Sequence, residues 1–387
     1  MTRGIYPKIV YSPSYRYGRL RISLKLNYNK KVEIQNKNVN FMSMIIEYSK
    51  KISIAVIELS SSGVKSISAC PMQVRKRDDL SKFSDDRKLI YNLFQLFKED
   101  KTIDEKRFEA EVLPLIIRLY RHIRNARNPE VFKIIATGYY RMAENISDII
   151  KMVEDAIVNQ SRNKNFSIEV LSKYQESQLS FVSWYSTKKS LFKTEEFKRQ
   201  YFKNNNIGIN IDCGGSTIEI SFLKNINDFS ETLSLHTEIT KKSNGLANRS
   251  KFSFKEFDKV TSKLVANALY ELSEHYTRIY TISFCVITGS NISKFCNSVF
   301  EETNDIIETD HLHFPLIQFK SNLESSFNTY SVHEREDRFK QILSVIVIKA
   351  ILGFLRINYF NLNKANLRVG CYYDMLSRLR ENKNPYA

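Results

Sequence analysis

Two periods of hydrophobic spacing alternate along this chain. From Ile52 to Cys70 apolar residues run as a strand that stops at Glu58, turn through Ser60 to Gly63, and resume as a second strand. The arrangement returns at Ile207 to Phe222. Here Ile207, Ile209 and Ile211 lead to Asp212, Gly214-Gly215-Ser216-Thr217 follows, and Glu219 sits between Ile218, Ile220 and Phe222. Between the two hairpins the spacing lengthens to that of helices. Leu89, Leu93, Leu96 and Phe97 predict one helix, and Phe108, Val112, Leu115, Ile116, Leu119, Tyr120 and Ile123 predict another despite Pro114. Val131 to Thr137 reads as a short buried strand entering Gly138, and Arg141 to Val158 as a helix. Further on, Phe254 to His275 predicts an amphipathic helix. Ile282 to Ile287 predicts a buried strand ending at a third small-residue turn, Thr288-Gly289-Ser290-Asn291. Asp337 to Arg356 and Arg368 to Leu379 predict two more helices. Alternating strands and helices imply an α/β protein with helix-covered sheets, and the paired hairpins imply a duplicated architecture with one turn per lobe.

The turn at Asp212 to Thr217 carries the strongest chemical signal. Gly214 and Gly215 lack a Cβ, so an anion can come close to their N–H groups. Ser216 and Thr217 add donors, while Asp212 and Glu219 are hard oxygen ligands suited to a cation held against that anion. A plain Gly-Gly hairpin turn is the alternative on this stretch alone.

Composition narrows the partners. The chain has 387 residues, 42% of them hydrophobic, enough for two or three ordinary domains. Its formal net charge of +17 favours polyanions: polyphosphate, nucleotides, nucleic acid or an anionic membrane surface. Residues 1 to 51 hold eleven Lys/Arg against only Glu33 and Glu47. Within them Leu20, Ile22, Leu24 and Leu26 alternate with Arg19, Arg21, Ser23 and Lys25, which predicts a β-hairpin with one basic face. Tyr6, Tyr11, Tyr15, Tyr17 and Tyr28 are interleaved, so single-stranded nucleic acid is one candidate partner and a merely solvated basic face the other. Cys70, Cys213, Cys285, Cys296 and Cys371 show neither zinc nor disulfide spacing, which points to a reducing cytoplasm. No apolar run spans a bilayer, and no signal-peptide pattern opens the chain. His311 and His313 lack supporting metal ligands, and Trp184 reads as a core residue.

Four segments, in order, carry a family resemblance. Ile135 to Asn145 (IATGYYRMAEN) is similar to an "ATxxxRxAxN" segment, and Leu171 to Leu179 (LSKYQESQL) to "SGxEEARL". Asp212 to Ile220 (DCGGSTIEI) is similar to "DIGGGSTEL", and Leu367 to Gly370 (LRVG) to "LREG". The set resembles the exopolyphosphatase / guanosine pentaphosphate phosphohydrolase (Ppx/GppA) family of the actin-like ATPase superfamily, over about Ile52 to Leu379. The resemblance implies two ribonuclease-H-like lobes with a cleft between them, here preceded by the basic N-terminal hairpin. The expected division is 1–51 as the extension, 52–170 as lobe I and 171–387 as lobe II, whose C-terminal helices have the option of packing back on lobe I. It implies phosphoanhydride hydrolysis with Mg²⁺, on inorganic polyphosphate or a guanosine tetra- or pentaphosphate. Carried over position by position, Glu176 is the general base. Ser61, Ser62, Arg141, Gly214, Gly215, Ser216, Thr217 and Gly289 are the phosphate contacts, and Glu58, Asp212 and Glu219 the metal ligands.

Departures from the family pattern cluster at the turns. The first turn, "DxGSNS" in the family, is Glu58-Leu59-Ser60-Ser61-Ser62-Gly63 here, and Ser60 in place of a glycine restricts φ. Gln175 and Gln178 replace a Glu and the Arg of "EEAR", Ser216 replaces a third glycine, and Val369 replaces the Glu of "LREG". Two further readings therefore stand beside the hydrolase. One is an impaired relative that binds a nucleotide or polyanion and signals to a protein partner. The other is a nucleic-acid-binding accessory protein. A homodimer or a protein partner is compatible with each.

Overall fold

The computed structural model describes residues 52–61, 63–70, 87–91, 93–161, 166–188, 207–225, 228–275, 282–300, 306–363, 365–381 and 383–386. The expected N-terminal hairpin in 1–51, and Ser62, lie outside the described residues.

The first sheet comprises β1 (Ile54–Ser60), β2 (Gly63–Ala69), β3 (Arg87–Ile90), β4 (Val131–Ala136) and β5 (Ser167–Val170), in the order β3-β2-β1-β4-β5. β1, β2 and β3 are antiparallel neighbours, whereas β4 and β5 run parallel to β1. The second sheet comprises β6 (Ile207–Cys213), β7 (Thr217–Asn225), β8 (Asp228–His236), β9 (Ile282–Thr288), β10 (Ile306–Glu308) and β11 (Tyr359–Asn363), in the order β10-β11-β9-β6-β7-β8. Apart from the added edge strand β10, it repeats the first: an antiparallel β6-β7-β8 meander, then β9 and β11 parallel to β6. This repeated order is the ribonuclease-H-like topology, present twice.

Period 2 along the strands decides what each face meets. On β1, Ala55, Ile57 and Leu59 pack against α1 (Leu113–Arg127) and α2 (Ile146–Ser161). The opposite face, Ile54 and Val56, packs with Leu179 of α3 (Lys173–Lys188) and with α9 (Leu367–Arg380). On β6, Ile207, Ile209 and Ile211 join a core built with α4 (Ile239–Ala247), α5 (Phe254–His275), α6 (Ser290–Val299), α7 (His313–Ser325) and α8 (Val332–Phe354). The other face of that sheet meets α3, where Phe181 and Trp184 pack on Leu223, Phe284 and Val286. Helices α3 and α9 thus lie between the two sheets. They pack on each other so closely that a Cβ at Gly370 would collide with the Leu179 carbonyl oxygen.

Several elements differ from expectation. Leu89 belongs to the edge strand β3, opposite Val64, and Leu93–Leu96 is a 3₁₀ turn, so the helix expected there is absent; pairing with β2 overrides a chance helical spacing. The Arg141 to Val158 helix is broken, because Ala143 is extended between the Tyr139–Met142 turn and α2. Pro114 is accommodated because it directly follows a π turn, Phe108–Val112, whose wider loop of backbone ends with Leu113 N–H bonded to the Phe108 carbonyl. His311 lies in a 3₁₀ turn, its Nε2 3.1 Å from Glu308 Oε2, while His313 begins α7. Among the described residues no helix is long and apolar enough to cross a membrane.

Candidate active site

Because β6 and β7 pair directly through a tight turn, Asp212 and Glu219 face one another across the strands, on the face that meets α3. Like charges at such positions repel and destabilise a hairpin. Glu219 is almost wholly buried and accepts from Ser234 Oγ at 3.2 Å and from Arg141 Nη2 at 3.0 Å. Arg141 reaches across from the other lobe. Its Nη1 also donates to Glu176 Oε2 at 2.7 Å and to the Leu171 carbonyl at 3.0 Å. One guanidinium therefore ties the candidate base on α3 to the acidic pair on the hairpin. Glu176 stands in the first turn of α3, where Ser172 and Gln175 exchange capping hydrogen bonds.

The charge balance is strained. Burial, and next the Glu219 charge, push Asp212 up to about 8. Glu176 is held well above the ordinary carboxylate range, first by burial and then by Glu219, with Arg141 opposing. Burial also raises Glu219, again against Arg141. Arg141 bonds Glu176 and Glu219 but not Asp212, so the three carboxylates together favour uptake of a proton or a further cation. Carboxylate oxygens are hard ligands of the kind a divalent cation takes, and among the described residues no group of three or more His, Cys, Asp or Glu side chains is placed to hold one.

Glu58 behaves differently. It projects from β1 on the face turned to α9, and both its oxygens are engaged: Lys65 Nζ lies 3.2 Å from Oε1 and Arg368 Nη1 2.6 Å from Oε2. Burial opposes the charge, but Lys65 and Arg368 outweigh it and lower the Glu58 pKa to about 2. Glu58 is here an ion-paired residue, not an open donor toward a metal. Arg368 and Gly370, quoted from the "LRVG" segment without any role, are thus the partner of Glu58 and the contact of α9 with α3. No signal local to Glu58 could have found a partner 310 residues away.

The turns converge. Gly214 N–H donates to the Thr217 carbonyl at 2.9 Å and so closes its own turn; among the described residues the amides of Gly215 and Ser216 have no protein acceptor. The Gly215 and Ser216 carbonyls accept from Thr240, Thr237 and Glu238, which fastens the turn to the start of α4. Thr237 and Thr240 are buried with hydroxyls that make no hydrogen bond among the described residues, a pair of donors beside the turn that sequence reasoning missed. Gly289, at φ +148, opens α6 against Cys213 at the end of β6, where a Cβ would stand 2.6 Å from the Cys213 carbonyl oxygen. In the first turn Ser60 closes the hairpin by donating to the Gly63 carbonyl at 2.9 Å, and Gly63, at φ +153, absorbs the unusual backbone. The substitution at Ser60 therefore does not strain the turn. Ser61 is buried, with its Oγ 3.9 Å from where a Gly215 Cβ would be, so the turns of the two lobes meet. Trp184 is buried and stacked on Phe284, a core residue as expected.

With this geometry in hand, residues 74–379 match the Ppx/GppA phosphatase family. The fold resembles a Ppx/GppA family member of Aquifex aeolicus, at 17% identity and TM-score 0.57, covering 86% of this chain and 99% of that one. An exopolyphosphatase from Cytophaga hutchinsonii is similar at 13% identity and TM-score 0.58, covering 87% and 100%. An exopolyphosphatase-like protein is similar at 12% identity and TM-score 0.60, covering 85% and 100%. No curated protein sequence matches the chain.

Proposed function

Since the chain belongs to the Ppx/GppA phosphatase family, we propose that it hydrolyses a terminal phosphoanhydride of inorganic polyphosphate or of a guanosine tetra- or pentaphosphate. The carrying observation is the bridge through Arg141, which holds Glu176 and Glu219 in one constellation beside the turn at Gly214 to Thr217. In this reading the free amides of Gly215 and Ser216, with the Thr240 hydroxyl, receive the terminal phosphoryl oxygens, and Ser61 closes on them from the other lobe. Glu176 orients a water and accepts its proton when ionised, the form that its Arg141 partner favours. Mg²⁺ held by Asp212 and Glu219 would neutralise charge on the transferred group. Arg141 keeps the Glu176 carboxylate aimed and is itself available to the developing charge when the substrate enters.

Phosphate release from polyphosphate and from guanosine pentaphosphate, with and without Mg²⁺, tests the proposal. Glu176→Gln is expected to abolish release while leaving ligand binding and the melting temperature close to wild type. Lost binding would make Glu176 a structural or ligand residue and not the general base.

One observation favours a second reading. In the first turn the protein's own cations, Lys65 and Arg368, already neutralise Glu58. A binding protein without turnover would look this way, and would gain thermal stability with ligand while releasing no phosphate.

A further inference from the structure

On the face of the first sheet turned away from α3 and α9, a cavity of about 760 Å³ opens between the edge strand β3 and the helices α1 and α2. That volume is within the range of small-molecule sites. Its wall changes character along one direction. Helices α1 and α2 lead into β4 and β5, which run parallel to β1, and two antiparallel pairings make β3 parallel to them as well. The C-terminal ends of both helices therefore lie at the same end of the sheet as Arg87, the first residue of β3. Toward that end α1 contributes Arg118, Arg121 and His122, and α2 contributes Gln160. Toward the other end the wall is apolar, with Leu113 and Ile117 on α1, Ala156 on α2 and Leu89 on β3. Leu113, Ile117 and Arg121 fall four residues apart, so one ridge of α1 runs from aliphatic to cationic. Arg121 donates through Nε to Gln160 Oε1 at 2.9 Å, and neither it nor Arg118 has a carboxylate partner among the described residues. The carboxylate on the wall, Glu109, precedes α1 and so stands at the apolar end.

We propose that this cavity binds an anionic amphiphile: one carboxylate or phosphate head on an unbranched aliphatic tail. The site is separate from the carboxylate constellation and does not depend on the hydrolase reading. A guanidinium donates paired hydrogen bonds to a carboxylate or phosphate, so Arg118 and Arg121 seat the head. Leu89, Leu113 and Ile117 take the tail, where each methylene removed from water adds affinity. Glu109 repels a second anionic group at the tail end, which disfavours polyphosphate, charged on every unit. No Phe, Tyr or Trp lines the wall, so a nucleobase finds no ring to stack on. The basic end also lies away from the turns. Ser60 to Gly63 and Gly138 follow the ends of β1 and β4, whereas Arg87 lies where the parallel strands begin. The amphiphile is thus a second ligand and not a substrate.

The test is calorimetric titration of the full chain with free decyl phosphate and decanoate below their micelle concentrations, beside inorganic phosphate and 1-decanol. Decyl phosphate is expected to bind about tenfold more tightly than the head or the tail alone, and hexyl phosphate more weakly than decyl phosphate. Arg118→Gln/Arg121→Gln changes two exposed side chains and should weaken decyl phosphate about tenfold. Lys259→Gln/Lys263→Gln on α5, also exposed, removes the same charge and should leave it unchanged. Equal affinities for the two variants overturn the proposal. Inorganic phosphate binding as tightly as decyl phosphate also overturns it, since the arginines are then a plain anion surface. Sedimentation with phosphatidylglycerol vesicles without uptake of free decyl phosphate overturns it as well, because the face then meets a bilayer and not a single amphiphile. None of these measurements uses phosphate release, so a failed hydrolase reading leaves the site standing and a failed site leaves the hydrolase reading untouched.

Discussion

Arg141 is the residue on which the two lobes agree. Its guanidinium serves a carbonyl and two carboxylates from three different segments, and only a planar fork can reach all three at once. Two roles compete for it: a direct clamp on phosphate, as its place in the family motif suggests, and the positioning of Glu176, as its contacts suggest. Arg141→Lys separates them. Lysine can keep one contact, so Glu176 loses its aim and Glu219 its counter-charge. The expected outcome is a fall in kcat of about tenfold to a hundredfold with KM within a few-fold of wild type, together with a lower melting temperature, because a buried carboxylate left without its partner costs about 1–3 kcal/mol. A KM that rises in step with an unchanged kcat would instead identify the arginine as a substrate clamp.

At the scale of elements, the hairpins and buried strands were legible because they rest on short-range pattern. Ile54–Ser60 with Gly63–Ala69, and Ile207–Cys213 with Thr217–Asn225, follow from alternation and turn residues alone. The 3₁₀ turn at Leu93–Leu96 was not legible, because four leucine and phenylalanine positions fit a helix by accident while Leu89 was committed to a sheet edge. In the site, Glu176, Asp212 and Glu219 were named from the motifs. Arg368 was quoted without a role, and Thr237 and Thr240 were not named, because their relevance depends on contacts that no local spacing encodes. The pair of Glu58 with Arg368 makes the point testable, since it fastens β1 to α9. Glu58 has a folded pKa of about 2, below its ordinary 4.5, so its contribution to stability is fully present above pH 4.5 and is lost as pH falls from there toward 2. Glu58→Gln removes the Glu58 counter-charge from the buried Arg368 guanidinium and is expected to cost about 3–5 kcal/mol near neutral pH. The deficit relative to wild type should shrink steadily below pH 4.5 in urea unfolding. Replacing both partners, as Glu58→Gln/Arg368→Met, should recover most of the loss. A deficit that stays constant with pH would show that packing of α9, not the ion pair, holds the elements together.

The whole molecule is a duplicated body with two helices, α3 and α9, packed between its sheets. Its first 51 residues lie outside the described ones. Those residues carry eleven positive charges against two negative, and the rest of the chain supplies the remainder of the +17. Their alternating apolar and basic side chains leave two outcomes open to experiment. If Arg19, Arg21, Lys25, Lys30 and Lys31 engage a polyanion, deletion of residues 1–47 removes counterion-releasing contacts. Affinity for polyphosphate or RNA should then fall, and its salt dependence flatten, while thermal unfolding of the body is nearly unchanged. If the segment covers apolar surface, the truncated protein should aggregate or melt at markedly lower temperature. The first outcome is the expected one, because basic residues outnumber acids eleven to two in this segment. A soluble truncation with unchanged polyanion affinity would sink it and leave the N-terminal charge as a solvated face.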